Sequence, residues 1–161
     1  MSPERSAGRE FLRHTLATLA YRGGKAVRKV PAGFGDFRIG PKSRTPAEIL
    51  AHIGDLLDWA LWLAKGEHIW KPTPPKTWAA DVKRFHAALT KLDRYLASSK
   101  PLGFPPGQIF QGAIADALTH VGQIAMLRRL AGSPVKGENY FRATIEIGRV
   151  GADQPSPVRE F

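Results

Sequence analysis

The sequence predicts an all-α fold, a four-helix bundle followed by a short irregular C-terminal tail. Three observations carry that expectation. Four segments of about 20 residues place apolar side chains at helical spacing. Gly and Pro clusters punctuate the chain between them, at Gly23-Gly24, Gly66, Pro72 to Pro75, Pro101 to Pro106, and Gly132 with Pro134. Four helices of that size, each about 30 Å long, are the material of a bundle. The 161 residues suit one domain, with the bundle core over about 7–132 and a C-terminal extension over 133–161.

The first helix is expected from about Ala7 to Tyr21. Phe11, Leu12, Leu16 and Leu19 form its apolar side, and Gly23-Gly24 reads as its stop. A Gly/Pro/basic loop follows to Arg44. Thr45-Pro46-Ala47-Glu48 is a strong helix start: Thr45 can cap, Pro46 suits the first helical position and Glu48 completes a capping box. That second helix runs to about Lys65, before Gly66. Lys71-Pro72-Thr73-Pro74-Pro75 reads as a rigid linker. The third helix spans about Trp78 to Ser98, with Trp78, Val82, Phe85, Leu89, Leu92 and Leu96 on one face. The fourth spans about Gln108 to Ala131 and ends at Gly132 and Pro134. Beyond Ser133, Glu138 to Ala143 can form a short helix, Thr144 to Val150 reads as extended, and the last ten residues read as a tail.

Composition narrows the function classes. Hydrophobic residues make up 43% and charged residues 24%, a globular mixture that excludes wholesale disorder. No Cys is present, which excludes disulfides, thiolate-bound zinc, iron–sulfur clusters and thiol nucleophiles together. The start, MSPERSAGREF, has charges where a signal peptide needs an apolar core. The longest apolar run, Trp59 to Ala64, is far short of the roughly 18 residues of a membrane span. A soluble, cytoplasmic protein is expected.

The formal charge of +10 is uneven. Residues 1–44 hold ten Lys and Arg against three acidic residues. The ten are Arg5, Arg9, Arg13, Arg22, Lys25, Arg28, Lys29, Arg38, Lys42 and Arg44. A basic face of this kind can meet nucleic acid or anionic substrates. No nucleic-acid motif accompanies it, so a solvated surface is the plainer reading.

The histidines are more informative. His52 lies within about 40° of Leu56, Trp59 and Leu63 on the second helix, so it is expected to face the bundle interior. Asp116 and His120 are spaced i, i+4 on the fourth helix, in a stripe with Ile109, Ala113, Gln123 and Leu127. A lone carboxylate among apolar side chains needs a partner or a cation. A metal held by His52, Asp116 and His120 satisfies all three groups. An Asp116–His120 ion pair, with His52 hydrogen-bonded in the core, satisfies them as well. Two His and one carboxylate suit Zn, Fe, Ni or Mn and leave open positions for water or substrate. His14, His68 and His86 lie near polar residues or loops and read as surface. Trp59, Trp62, Trp70 and Trp78 surround the second helix and its exit, as pocket, dimer face or core.

Two segments carry a family resemblance. Thr45-Pro46-Ala47-Glu48-Ile49-Leu50-Ala51-His52-Ile53-Gly54-Asp55 resembles the start of the second helix in the DinB/YfiT-like superfamily. Asp116-Ala117-Leu118-Thr119-His120-Val121-Gly122-Gln123-Ile124, with Arg128 and Gly132 beyond, resembles its H-x-x-x-H-x-G-Q-I segment. The likeness covers roughly residues 7–132. It implies a four-helix bundle with a His triad holding a divalent metal, often in a homodimer. It also implies chemistry on a small-molecule substrate, with members that are thiol-dependent S-transferases using mycothiol, bacillithiol or glutathione, or an isomerase of maleylpyruvate. By position His52 matches the second-helix ligand and His120 the last one. Asp116 stands where the family usually has the other His, so the site either survives as two His and one carboxylate or has lost its metal.

Three readings follow from the resemblance and the residues together. One is a metal-dependent S-transferase, or a metal-dependent hydrolase with water in the thiol's place. A second is a non-catalytic binding or stress-associated module. The third is a nucleic-acid binder, ranked last. No general base stands out, although Glu138 and Tyr140 follow the fourth helix and can reach the open end of the bundle.

Overall fold

The computed structural model describes residues 3–161, with side chains from Ala7 onward, so the Arg5 side chain lies outside the described part. The described residues form four long helices and no strand. Helix α1 is Pro3–Val27 and α2 is Pro46–Lys65. Helix α3 is Trp78–Ala97. Helix α4 runs in three continuous pieces: Pro106–Ile109, a π-helical turn Phe110–Ile114, and Ala115–Leu130. Short 3-10 turns sit at Phe34–Asp36 and Tyr140–Arg142. No helix among the described residues is long and apolar enough to cross a membrane.

The start of α2 follows from local chemistry. Thr45 Oγ1 accepts the Glu48 N–H at 3.2 Å, and Glu48 Oε2 accepts the Thr45 N–H at 2.7 Å. Gly66 ends the helix in the left-handed region, at φ +92°. Thr77 caps α3, and Asp81 Oδ2 accepts the Lys76 N–H at 2.8 Å, tying the end of the linker to the helix it precedes.

Contacts fix the topology. Arg9 of α1 meets the end of α3 at Leu96, and Gly23 near the end of α1 meets Phe85 near the start of α3, so these two run antiparallel. Arg84 reaches Ala51 and Asp55, placing the start of α2 beside the start of α3, so this pair is parallel. His52 and Trp59 of α2 face Asp116 and Gly112 of α4 in reverse order, so α2 and α4 are antiparallel. The order is up, down, down, up. The parallel α2–α3 pair requires residues 66–77 to return the length of the bundle. Twelve extended residues reach about 40 Å, against about 30 Å for a 20-residue helix. The Pro-rich linker is thus a strap laid back along α2. Its hold is visible at Thr73, whose N–H donates to Asp55 Oδ2 at 3.1 Å.

The core is contiguous, with Leu12, Leu16, Leu19, Leu57, Leu89 and Ile124 all at 1% exposure or less. Each such side chain stabilises the fold by about 1.5–3 kcal/mol relative to exposure. Helix α1 does not stop at Gly23-Gly24 but continues to Val27. The reason is packing: a Cβ at Gly23 would lie 2.6 Å from Phe85 Cζ, so the glycine is where α3 comes close. Beyond the helix, Arg128 caps the α1 carbonyls, donating to Ala26 O at 3.2 Å and Arg28 O at 3.0 Å. Gly23→Ala is therefore expected to destabilise by about 1–3 kcal/mol through overpacking, despite alanine's better helix propensity. Gly122→Ala, where the added methyl meets open space, is expected to stabilise by about 0.5–1 kcal/mol. Urea midpoints of the two variants check the opposite signs.

The C-terminal region differs from expectation. Thr144 to Val150 forms no strand, and the 3-10 turn Tyr140–Arg142 is all that forms of the short helix expected over Glu138 to Ala143. The last residues are docked rather than free. Glu138 and Glu160 form an antiparallel bridge, and the Phe161 N–H donates to Gly137 O at 3.0 Å. Lys25 Nζ lies 2.8 Å from Glu138 Oε2 and 2.8 Å from Glu160 Oε1. His86 is half-buried rather than a surface residue, and its Nδ1–H donates to Val150 O at 3.3 Å.

Part of the basic N-terminal segment is spent inside the fold. Arg9 is buried and caps the end of α3 through the carbonyls of Leu96, Ser98 and Lys100. Arg13 pairs with Asp93 at 2.8 Å, and Arg22 lies 4.4 Å from the centre of the Tyr140 ring. Arg38 meets Glu48, and Lys25 is held as above. Five of the ten basic side chains thus already have partners within the chain, the Arg38–Glu48 pair among them at the surface.

Candidate metal centre

His52, in the second turn of α2, faces Asp116 and His120 on α4. One ligand atom from each lies within 4.8 Å of the others. His52 Nε2 is 3.7 Å from Asp116 Oδ2, and the two imidazole centroids are 4.7 Å apart. His120 Nδ1 lies 3.2 Å from Asp116 Oδ1 and 2.8 Å from the Asp116 backbone carbonyl. The shorter contact is the one to the backbone carbonyl, with Nδ1–H donating to it. It leaves Nε2 as the free lone pair of His120 and fixes its ring. A ring nitrogen bonded to a backbone carbonyl is how a ligating imidazole is commonly oriented.

Asp116 is not enclosed by apolar side chains as its stripe predicts. Its side chain is 44% exposed, against 22% for His52 and 11% for His120. A π turn at Phe110–Ile114 precedes Asp116; Ile109, Ala113, Ala117 and His120 on either side are buried, while the Asp116 carboxylate stands at the mouth. Gln123, expected near the site, is exposed.

His52 has no hydrogen bond among the described residues, since 3.7 Å to Asp116 is too long for one. Burial lowers its pKa, with the neighbouring His120 and Arg44 adding to the effect; Asp116 and Asp55 oppose it and lose. His52 is therefore neutral at pH 7, which is the form that ligates a metal and not the form that makes an ion pair. The arrangement fits a small divalent cation. It supplies two nitrogens and one oxygen from two facing helices, with one open side. Ligand atoms around such a cation stand about 3–3.5 Å apart at bond lengths near 2.0–2.2 Å, so the cluster needs to contract by only about an ångström.

The strap supplies one wall. Trp70 packs edge-on against His52 at 5.6 Å and against Trp59 at 5.7 Å, and His68 stacks on Trp59 at 5.5 Å. The Trp59 indole N–H is buried with no acceptor among the described residues, so ring packing rather than hydrogen bonding holds this corner. The four tryptophans are divided between sites. Trp78 instead packs on Phe34 and donates Nε1–H to Val27 O at 3.1 Å, and Trp62 lies under Lys65.

The periodicity also missed what secures the strap. Arg84 of α3 donates to Asp55 and Asp58 of α2, at 2.7 Å each, and to Ala51 O at 3.2 Å. Gly54 makes room for it, because a Cβ there would lie 2.9 Å from Arg84 Cζ. Asp55 thus joins α2, α3 and the strap beside His52. Glu138 and Tyr140 do not reach the site. The Glu138 carboxylate is fully buried, taking Tyr21 Oη–H at 2.6 Å and Lys25 at 2.8 Å, while Tyr140 packs on Tyr21.

Burial also lowers the pKa of His86 from its ordinary 6.5, more than the Val150 carbonyl raises it. For both His52 and His86 the unfolded chain binds more protons as pH falls below about 6.5. Stability of the metal-free protein is expected to be highest above that pH and to fall below it. The carboxylates with lowered pKa, Glu48 and Glu160, act only at lower pH. Urea midpoints at pH 7.5 and 5.5 therefore read the histidines, and His86→Gln is expected to shrink the difference. An unchanged difference would assign the effect elsewhere.

Comparison with family models, with curated proteins and with solved structures gives no match for this chain.

Proposed function

We propose that the chain is a DinB/YfiT-like metal-dependent enzyme that performs thiol-dependent S-transfer at a divalent centre held by His52, Asp116 and His120. The observation that carries the reading is the convergence of three donor groups from two facing helices within 4.8 Å. Support comes also from the sequence resemblance at both segments and from the neutral state of His52. A bound Zn, Ni, Fe(II) or Mn ion would lower the pKa of a coordinated thiol and so supply a thiolate near neutral pH. The chain's own residues hold and shield that centre. His120 is oriented by its bond to the Asp116 carbonyl, Trp70 screens one side of His52 from water, and the exposed Asp116 marks the side open to substrate. A homodimer acting on a small molecule belongs to the same reading.

Hydrolysis at the same centre, with water in the thiol's place, is distinguished by whether added thiol is consumed. The test of the centre itself is elemental analysis of the purified, tag-free protein beside His52→Ala. About one metal per chain, lost in the variant, is expected. No metal after incubation with Zn, Ni, Mn and Fe(II) would leave an Asp116–His120 contact beside an unpaired, neutral His52, and the reading would fall.

A further inference from the structure

A groove of about 430 Å³ opens beside the triad, with His120 in its wall. It lies between the loop before α2, the first turns of α2 and the second half of α4. Its floor and sides are apolar: Ile39, Ile49, Met126, Leu127 and Leu130. Ile39, Met126 and Leu130 are 62%, 51% and 55% exposed, a concentration of large apolar side chains at one place on the surface. The volume falls in the range of small-molecule sites.

The polar side chains of the groove identify what it accepts. Besides His120 they are Ser43, Gln123 and Arg44, with no carboxylate among the lining residues. Ser43 Oγ is occupied by the Gly40 backbone. Arg44 has no ion pair or side-chain hydrogen bond among the described residues. The nearest acid on its own loop and helix, Glu48, is already held by Arg38 and by the Thr45 N–H. Across on α4, Asp116 faces the two histidines. An unpaired guanidinium at the rim of an apolar groove matches a ligand with one carboxylate and an apolar body.

We infer that this groove binds an amphipathic monocarboxylate, its apolar part against Ile49 and Leu127 and its carboxylate on Arg44. This names the substrate class of the proposed enzyme and rests on that reading only for the claim that the ligand reacts at the triad. Binding itself is independent of metal.

The probe is 4-phenylbutyrate beside its neutral amide, titrated by methyl NMR into metal-free and zinc-treated protein. The acid is expected to shift the methyls of Ile39, Ile49, Leu127 and Leu130 and to bind about fivefold or more tightly than the amide. Arg44→Gln is expected to bring the acid down to the amide's affinity. Met126→Glu, at an exposed position, is expected to weaken the acid more than the amide. Equal affinity of acid and amide, insensitivity to Arg44→Gln, or shifts confined to other residues would each overturn the inference. So would a dimer in sedimentation that Met126→Glu splits while neither probe binds, since a second copy would then cover the groove. A protein that takes up no zinc yet shows the Arg44-dependent preference would sink the metal reading and keep the groove. Zinc uptake without that preference would do the reverse.

Discussion

Asp116→Ala is expected to lower zinc affinity by about 100-fold or more while the bundle stays folded. Groups that merely support a metal ligand already change affinity by about 10–100-fold, so loss of a ligand belongs at the top of that range or beyond. The fold is expected to survive because the Asp116 side chain is 44% exposed and its ion-pair contacts among the described residues are to the two histidines. Substitutions at such positions usually stay within about 0.5 kcal/mol. Competition against a chromophoric chelator measures the affinity, and a thermal melt of the metal-free variant measures the fold. Asp116→His provides the opposite arm. It supplies an imidazole where the resembling family has one, and it is expected to retain or strengthen binding. Unchanged affinity in Asp116→Ala would remove the carboxylate from the ligand set and leave two histidines, too few to hold a catalytic ion.

What the sequence disclosed, and what it concealed, divides along the range of the interactions involved. The start of α2 was legible because a capping box is complete within four residues, Thr45 to Glu48. The apolar face of α3 was legible because Phe85, Leu89, Leu92 and Leu96 repeat on an undistorted helix. Gly23-Gly24 misled because Gly23 answers to Phe85, some sixty residues away, rather than to a turn. The same limit applies to Arg9, Arg13 and Lys25. They look like a free basic face until α3 and the C-terminal extension supply carbonyls and carboxylates.

The proximity of the three polar residues was legible to the same degree. Counting residues placed His52 on the inner side of α2 and Asp116 beside His120, and the structure brings the three together. Counting at a constant 100° put Asp116 inside with Ala113 and His120; those two are buried, but the Asp116 carboxylate stands at the mouth. The strap was legible only as a rigid linker. That it runs back over His52 follows from α2 and α3 being parallel, a property of the packed bundle that no local pattern encodes.

The largest loss of stability is expected at Glu138, far from His52, Asp116 and His120. Its carboxylate is fully buried, and Lys25 beside it is 6% exposed. Glu138→Ala strands the ammonium with only the 30%-exposed Glu160, and it leaves the Tyr21 hydroxyl without an acceptor. Breaking a buried pair from one side costs about 3–5 kcal/mol, which for a chain of this size lowers the melting temperature by on the order of 10 °C. Glu138→Gln is expected to cost less, since the amide oxygen still accepts from Tyr21. Glu160→Gln, at the exposed end of the cluster, is expected to cost no more than about 1 kcal/mol. The double variant Lys25→Met/Glu138→Leu separates two origins of the loss. If the stranded ammonium is the cause, removing both charges recovers part of the stability, because an apolar pair has no ion to desolvate. If the double variant is as unstable as Glu138→Ala, the loss comes instead from Tyr21 and from the docking of Glu160. The C-terminal extension then holds to α1 through the carboxylates themselves.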